Sequence, residues 1–159
     1  MNSRFAICAP HRAIRVLMVS LILLGGSVIA ARAATPEQAP PIPAGQSRVW
    51  FARQLLAGTN MSSPSVYVNG VPIARSAQGT AFYRDFAPGQ YAFTVENCLP
   101  QAGTGQTMTL QPNAQYLLEV TQDDNGAWDC YPPQVSYLRQ VPSQQALYLL
   151  APLTFMGPM

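Results

Sequence analysis

The chain has 159 residues, with nine basic residues that are all arginine, seven acidic residues and a formal charge of +2. This length suits one domain with a modest core. Four of the arginines, Arg4, Arg12, Arg15 and Arg32, lie near the amino terminus. The rest of the chain carries a net charge of −2 and has no basic cluster, which argues against a nucleic-acid partner and against electrostatic docking on a lipid surface.

Residues 1–34 have the composition of an export signal. A basic start is followed by the uncharged apolar run Val16–Ala30 and then by "ARA", whose small residues suit a signal peptidase. We expect a helical signal peptide that is cleaved after Ala33 or Ala34, and a periplasmic or secreted mature protein. A retained membrane anchor is the alternative, although the run is shorter than the roughly 20 residues that a spanning helix needs. No lipid anchor is expected, because Cys8 precedes the apolar run and no cysteine follows it directly.

The next segment, residues 35–46, reads "TPEQAPPIPAGQ" and contains four prolines. Proline at this density favours an extended, solvated linker. The folded domain is therefore predicted over residues 47–159.

The domain shows short runs of alternating apolar and polar residues, separated by Gly, Pro and Asn. Asn69-Gly70 predicts a hairpin with a type I′ turn. Pro72 lies in the second strand of this hairpin and predicts that the strand is at a sheet edge or faces outward at that point. Pro88-Gly89 predicts a second hairpin with a type II turn. The pattern predicts an all-β fold, a single small antiparallel β-sandwich of about seven strands. The main predicted strands are 48–53, 65–68, 79–86, 90–97, 106–110, 115–122 and 134–141.

Three stretches in this region carry a family resemblance: "VYVNGVPIA", "GTAFYRDFAPGQYAFTVE" and "MTLQPNAQYLLEV". Their order resembles the bacterial envelope proteins known as domain of unknown function 2846 (DUF2846), and more loosely the PEGA and transthyretin-like β-sandwich modules. The resemblance covers residues 48–141. It implies an all-β extracytoplasmic domain, often on a lipoprotein, and it brings no catalytic residue.

Two cysteines remain after the signal, Cys98 and Cys130. In an exported chain such a pair is first interpreted as a disulfide, worth roughly 3–4 kcal/mol in the chain-entropy model. Two buried free thiols are the alternative. Two thiolates without a histidine do not complete a tetrahedral site, so neither a metal nor a cofactor is expected.

The chain after the signal contains no histidine and no lysine, which excludes Ser-His-Asp, Cys-His, Ser-Lys and Schiff-base catalysis. Carboxylate chemistry remains, with Asp85, Glu96 and Glu119 as candidates for a glycoside hydrolase. The strand period places Glu96 and Glu119 on solvated faces, so we predict no catalytic residue and no enzyme activity.

Two further patterns have both a functional and a structural interpretation. The segment 123–129, "DDNGAWD", suggests calcium, but it does not fit the EF-hand template and is typical of a β-turn. Aromatic residues could form a carbohydrate-stacking surface, or could simply be half-buried sheet residues. They are Trp50, Tyr67, Tyr83, Trp128, Tyr131 and Tyr137.

The carboxyl-terminal segment 146–159, "ALYLLAPLTFMGPM", is uncharged and apolar. It is either a last strand or short helix that covers the sandwich, or an exposed strip that docks on a partner. The candidate partner-binding residues are Leu147, Leu149, Leu150, Leu153 and Phe155. The sequence thus predicts an exported, non-catalytic module of the cell envelope that has a binding or assembly role and an envelope protein as its partner. The alternative function is that of a carbohydrate-binding protein or a carbohydrate-active protein that works through carboxylates.

Overall fold

The structure is a computed structural model that describes residues 39–56, 62–97, 104–123 and 135–159. The predicted signal peptide, residues 1–34, lies outside these ranges. Among the residues described, no helix has the length and hydropathy needed to cross a membrane. The described residues form nine strands and one helix: β1 (Ser47–Arg53), β2 (Ser65–Val68), β3 (Val71–Arg75), β4 (Thr80–Phe86), β5 (Gly89–Val95), β6 (Gln106–Leu110), β7 (Gln115–Asp123), β8 (Val135–Val141), α1 (Ser143–Leu150) and β9 (Thr154–Pro158).

The strands form two sheets, which confirms the predicted all-β class. One sheet has five strands in the order β8-β7-β1-β4-β9, and the other has four in the order β3-β2-β5-β6. The prediction of about seven antiparallel strands was too simple. The described residues contain nine strands, and β1–β7 and β4–β9 pair in parallel. Parallel strands need a long crossover connection. Between β1 and β7 the chain passes through the four-stranded sheet, and it reaches β9 through helix α1.

The hairpin of β2 and β3 has the turn that the sequence predicts. Asn69 and Gly70 both have positive φ, 49° and 79°, as a type I′ turn requires. The Asn69 Oδ1 atom also accepts a hydrogen bond of 2.8 Å from the Ala92 N–H on the neighbouring strand β5. Pro72 lies in β3, one of the two edge strands of its sheet, where a residue without an N–H interrupts no interior ladder. Both predictions are confirmed.

The second predicted hairpin, at Pro88-Gly89, is wrong. The strands on either side of it, β4 and β5, belong to different sheets. Gly89 has a φ of 153°, far from the roughly +80° of a type II turn, and it already pairs with Leu110 of β6. The Pro-Gly corner therefore carries the chain from one sheet to the other.

Two apolar clusters lie on opposite faces of the five-stranded sheet. The first fills the space between the sheets and includes Phe51, Phe82 and Phe93. The second lies on the outer face, where Trp50 and Tyr83 belong to the same buried cluster as residues of the carboxyl-terminal segment. All seven residues of the central strand β1 are buried, because both of its faces are covered.

Helix α1 covers the outer face, and strand β9 extends the same sheet at its edge, beside β4. An eight-residue helix without a side-chain cap is not stable alone in water, so α1 depends on its packing against the sheet. Leu150, 4% exposed, supplies that packing from the helix, and Leu153, 3% exposed, joins the same cluster from the turn that follows. The expectation of a last strand or a short helix is met by both elements, one after the other.

Part of the predicted linker lies against the domain. Ala39 packs on the outer cluster, and the carbonyl of Pro40 accepts a hydrogen bond of 2.6 Å from Arg48 Nη1. Nearer the domain, Asn113 Oδ1 accepts a hydrogen bond of 3.1 Å from the Gly45 N–H, and the Asn113 N–H donates one of 2.7 Å to the Gln46 carbonyl. Residues 39–46 are thus bound to the fold rather than solvated throughout.

Candidate binding site

The five predicted partner-binding residues have different environments. Leu150 and Leu153 are buried in the outer cluster, and Leu149 and Phe155 are half-buried against it. Leu147 is 64% exposed. Four of these residues therefore belong to the core or pack against it, and Leu147 is the one of the five that is largely exposed.

A cleft of about 410 Å³ lies between α1 and the neighbouring strands of the five-stranded sheet. Its sheet side is formed by residues of β1 and β7, namely Trp50, Gln115, Tyr116 and Leu117, and by Gln140 and Val141 at the end of β8. Pro142 and the α1 residues Ser143, Ala146, Leu147 and Leu150 complete the lining. The exposed Leu147 thus belongs both to the cleft and to the outer surface of the helix.

The Trp50 indole is held firmly beside the cleft. Its Nε1–H donates a hydrogen bond of 3.0 Å to Gln115 Oε1. Its ring packs against Tyr83 and Phe155 with centroid distances of 5.0 and 5.6 Å, and only 4% of the residue is exposed. Because Gln115 accepts through its oxygen, its amide N–H groups remain able to donate to a ligand.

An ion pair lies beside the outer aromatic cluster of the five-stranded sheet. Arg48 Nε and Nη2 donate to the two carboxylate oxygens of Asp85 at 2.7 and 2.8 Å, a bidentate pair. The guanidinium carbon lies 3.9 Å from the Tyr83 ring centroid, within cation–π range. The hydrogen-bonded carboxylate raises the pKa of Arg48 above its ordinary value. Arg48, 3% exposed, thus connects the linker residue Pro40 to the outer aromatic cluster.

A second arginine, Arg53, is buried at the other end of β1. It donates to the Ser76 carbonyl at 2.9 Å and to Gln122 Oε1 at 2.6 Å, and also to the Ser62 carbonyl. Burial lowers the pKa of this guanidinium from its ordinary value. These bonds connect the end of β1 with β7 and with the segments that flank the β2–β3 hairpin.

Asp85 and Glu119 do not form a carboxylate pair of the kind used in glycoside hydrolysis. Asp85 lies opposite Arg48, and Glu119 lies opposite Ala52. Four residues along the strands and two strand spacings separate their backbone positions by roughly 16 Å. Paired catalytic carboxyls are roughly 5–9.5 Å apart. The register thus gives no support to a hydrolase built on Asp85 and Glu119.

The sequence-based placement of Glu119 on a solvated face is wrong. Glu119 is 4% exposed and pairs with Arg139, its register partner on β8. This ion pair raises the pKa of Arg139. The placement of Glu96 is confirmed: it is exposed and accepts a hydrogen bond of 2.8 Å from the Ser65 N–H, which lowers the Glu96 pKa.

Four of the six aromatic residues considered for a carbohydrate-stacking surface lie within the described residues. Trp50 and Tyr83 are buried in the core, and Tyr67 and Tyr137 are half-buried in strands. Trp128 and Tyr131 lie outside the described residues, as do the disulfide candidates Cys98 and Cys130 and most of the segment 123–129. Within the described part of the chain, no group of three or more His, Cys, Asp or Glu residues could hold a metal ion.

No protein-family model and no curated protein matches this sequence. Among solved structures, the chain is similar to the N-terminal domain of AlgF from P. aeruginosa. The two share 19% sequence identity at a TM-score of 0.40, over 63% of this chain and 98% of that one. A similarity at this level carries no argument about ligand or partner.

The sequence did not predict a cleft, and of the lining residues only Leu147 and Leu150 are among the five predicted partner-binding residues. Gln115 and Gln140 are ordinary polar residues in strand patterns, and nothing local distinguishes them. Trp50 was noted only as one of several aromatics. The signal that could have singled out its strand is the uninterrupted apolar core "VWFA", which is typical of a strand buried on both faces.

Proposed function

We propose that the protein is an exported, non-catalytic binding module of the cell envelope, which docks on a partner protein through helix α1. The observation that carries this proposal is the exposure of two large apolar neighbours on that helix. Leu147 is 64% exposed and Tyr148 is 84% exposed.

The helix is a suitable docking element because its opposite side is fixed. Leu150 is buried against the sheet, and the Leu149 carbonyl accepts a hydrogen bond of 2.9 Å from Gln54 Nε2. A partner would therefore meet a preorganised surface, which reduces the entropy lost on binding. Residues 142–159 contain no charged side chain, so this surface can be desolvated without burying an ion.

Export is the second part of the proposal. The signal-like residues 1–34 and the resemblance to envelope proteins of the DUF2846 type support it. Amino-terminal sequencing of the protein purified from cells is expected to start at Ala34 or Thr35, and fractionation is expected to place the protein outside the cytoplasm. An amino terminus at Met1 in the membrane fraction would indicate a retained anchor instead.

Docking through α1 can be tested by placing a photo-crosslinking amino acid at residue 148 of the full chain in cells. The matched control carries the same amino acid at residue 71, because Val71 is 61% exposed but lies on the four-stranded sheet. We expect one discrete adduct at position 148 and none at position 71, with the adduct reduced by the substitution Leu147→Ala. Equal labelling at both positions, or no adduct at position 148, would contradict docking through the helix.

A further inference from the structure

We infer that the cleft beneath α1 binds an uncharged, apolar stretch of the partner polypeptide and thereby selects the partner. This inference rests on the proposed docking function. It assigns to one site the chemistry of its ligand: an extended chain segment with aliphatic side chains and no ionised group.

The lining supports an uncharged ligand. Every residue of the described lining is uncharged at neutral pH. The nearby ions Arg48 and Asp85 neutralise each other through two hydrogen bonds. An ionised ligand group that entered the cleft would lose its hydration without gaining a counter-charge, which is costly.

The polar groups of the lining match a peptide backbone. Gln115 has amide N–H groups that make no hydrogen bond within the described residues, and the side chains of Gln140 and Ser143 likewise have no partner there. Glutamine amides both donate and accept, as peptide units do. A backbone lying across these residues could therefore exchange hydrogen bonds with them while its side chains enter the apolar part.

The size and continuity of the cleft favour a chain segment. A volume of about 410 Å³ lies within the range of ligand sites, roughly 300–1,000 Å³. The apolar wall of Ala146, Leu147 and Leu150 continues through Leu147 onto the exposed Tyr148. A ligand that follows this surface extends beyond the cleft, as a polypeptide does.

A sugar ligand fits the same geometry less well. Carbohydrate sites commonly present an exposed aromatic face for stacking. The only tryptophan in the described lining, Trp50, packs against Tyr83 and Phe155 and is 4% exposed. Its ring is therefore already occupied by the protein's own core.

The test uses the intrinsic fluorescence of Trp50 in the mature full-length protein, with Trp128→Phe removing the other tryptophan. The probes are an acetylated and amidated Leu-Ala-Leu-Ala peptide, the same peptide with one aspartate, and cellobiose. We expect saturable binding of the uncharged peptide, at least tenfold weaker binding of the acidic peptide, and no response to cellobiose.

The decisive variant is Gln115→Glu. The carboxylate still accepts the Trp50 N–H, so the fold is expected to persist, but a charge now lies at the cleft. Gln90→Glu makes the same change at an exposed position of β5 on the other sheet. We expect Gln115→Glu to weaken binding of the uncharged peptide at least tenfold and Gln90→Glu to change it less than twofold, with both unfolding midpoints close to that of the parent.

The outcomes separate this inference from the proposed function. If the adduct at position 148 persists but the uncharged peptide does not bind at millimolar concentration, or Gln115→Glu has no effect, the helix docks and the assignment of the cleft is wrong. If cellobiose saturates the fluorescence change, the ligand is a carbohydrate and the inference is overturned. If no adduct forms, the docking function itself fails.

Discussion

Leu150→Ala and Leu147→Ala should separate the core role of α1 from the docking role proposed for it. The two residues have the same chemistry and lie on the same helix, but Leu150 is 4% exposed and Leu147 is 64% exposed. Buried Leu→Ala substitutions cost roughly 2.7–5.0 kcal/mol, and the cost grows with the cavity that remains. Because Leu150 lines the cleft, the space it vacates joins an opening that already exists, so we expect about 3 kcal/mol, near the lower limit.

Leu147→Ala should change the free energy of unfolding by less than about 0.5 kcal/mol, as expected of an exposed site. Alanine also keeps the helix propensity, so neither variant loses stability through the backbone. Urea unfolding followed by far-UV circular dichroism measures both, and an unchanged slope of free energy against urea would show that two-state behaviour is kept. Although Leu147→Ala should leave the stability almost unchanged, it should decrease the yield of the crosslink at position 148. If Leu150→Ala is as stable as the parent, α1 is not packed on the sheet and the reasoning about a preorganised surface is refuted.

Three further predictions concern stability. Arg48→Met should lower the free energy of unfolding by about 2–3 kcal/mol, because it removes the partner of Asp85, whose side chain is 17% exposed. Adding Asp85→Asn should recover part of this loss in urea unfolding. Additive losses from the two substitutions would argue against the ion pair. Asn69→Ala should cost about 1–2 kcal/mol in the same assay, because it removes the bond to the Ala92 N–H and strains a positive φ, and a neutral result would contradict the turn assignment. The lowered pKa of Glu96 stabilises the fold above the unfolded pKa, and this contribution is lost as pH falls through the folded pKa. For so exposed a group this contribution is a few tenths of a kcal/mol. Glu96→Gln should therefore make the thermal midpoint fall slightly less steeply below about pH 4.5. If the midpoint of Glu96→Gln follows the same acid profile as that of the parent, the hydrogen bond from Ser65 contributes nothing to stability.

Local sequence signals predicted the positions of most strands well. The turn at Asn69-Gly70 and the edge position of Pro72 were correct because both depend on backbone geometry that only a few residue types adopt. Strand β6 was predicted with its observed bounds, Gln106–Leu110. These features depend on interactions between residues close in the chain.

The errors arose where a local signal has two tertiary outcomes. Pro88-Gly89 marks a corner, but nothing in these residues shows whether the next strand pairs with the last one or crosses to the other sheet. The period of β7 showed which residues share a face with Glu119, but it did not show that Arg139 would meet this carboxylate across a strand pair. That pairing depends on the register of β7 with β8.

The sequence by itself determined the all-β class, the positions of most strands and the turn at Asn69-Gly70, because these follow from residue types and from contacts between neighbours. Only the tertiary structure decided which leucines of the carboxyl-terminal segment are buried. It also decided where the cleft lies, since Trp50, Gln115 and Leu147 are far apart in sequence and meet only when β1 and β7 pair and α1 folds back over them. The physical reason is that apolar side chains show only that they will be buried or will dock, whereas the packing of distant elements determines which of the two occurs.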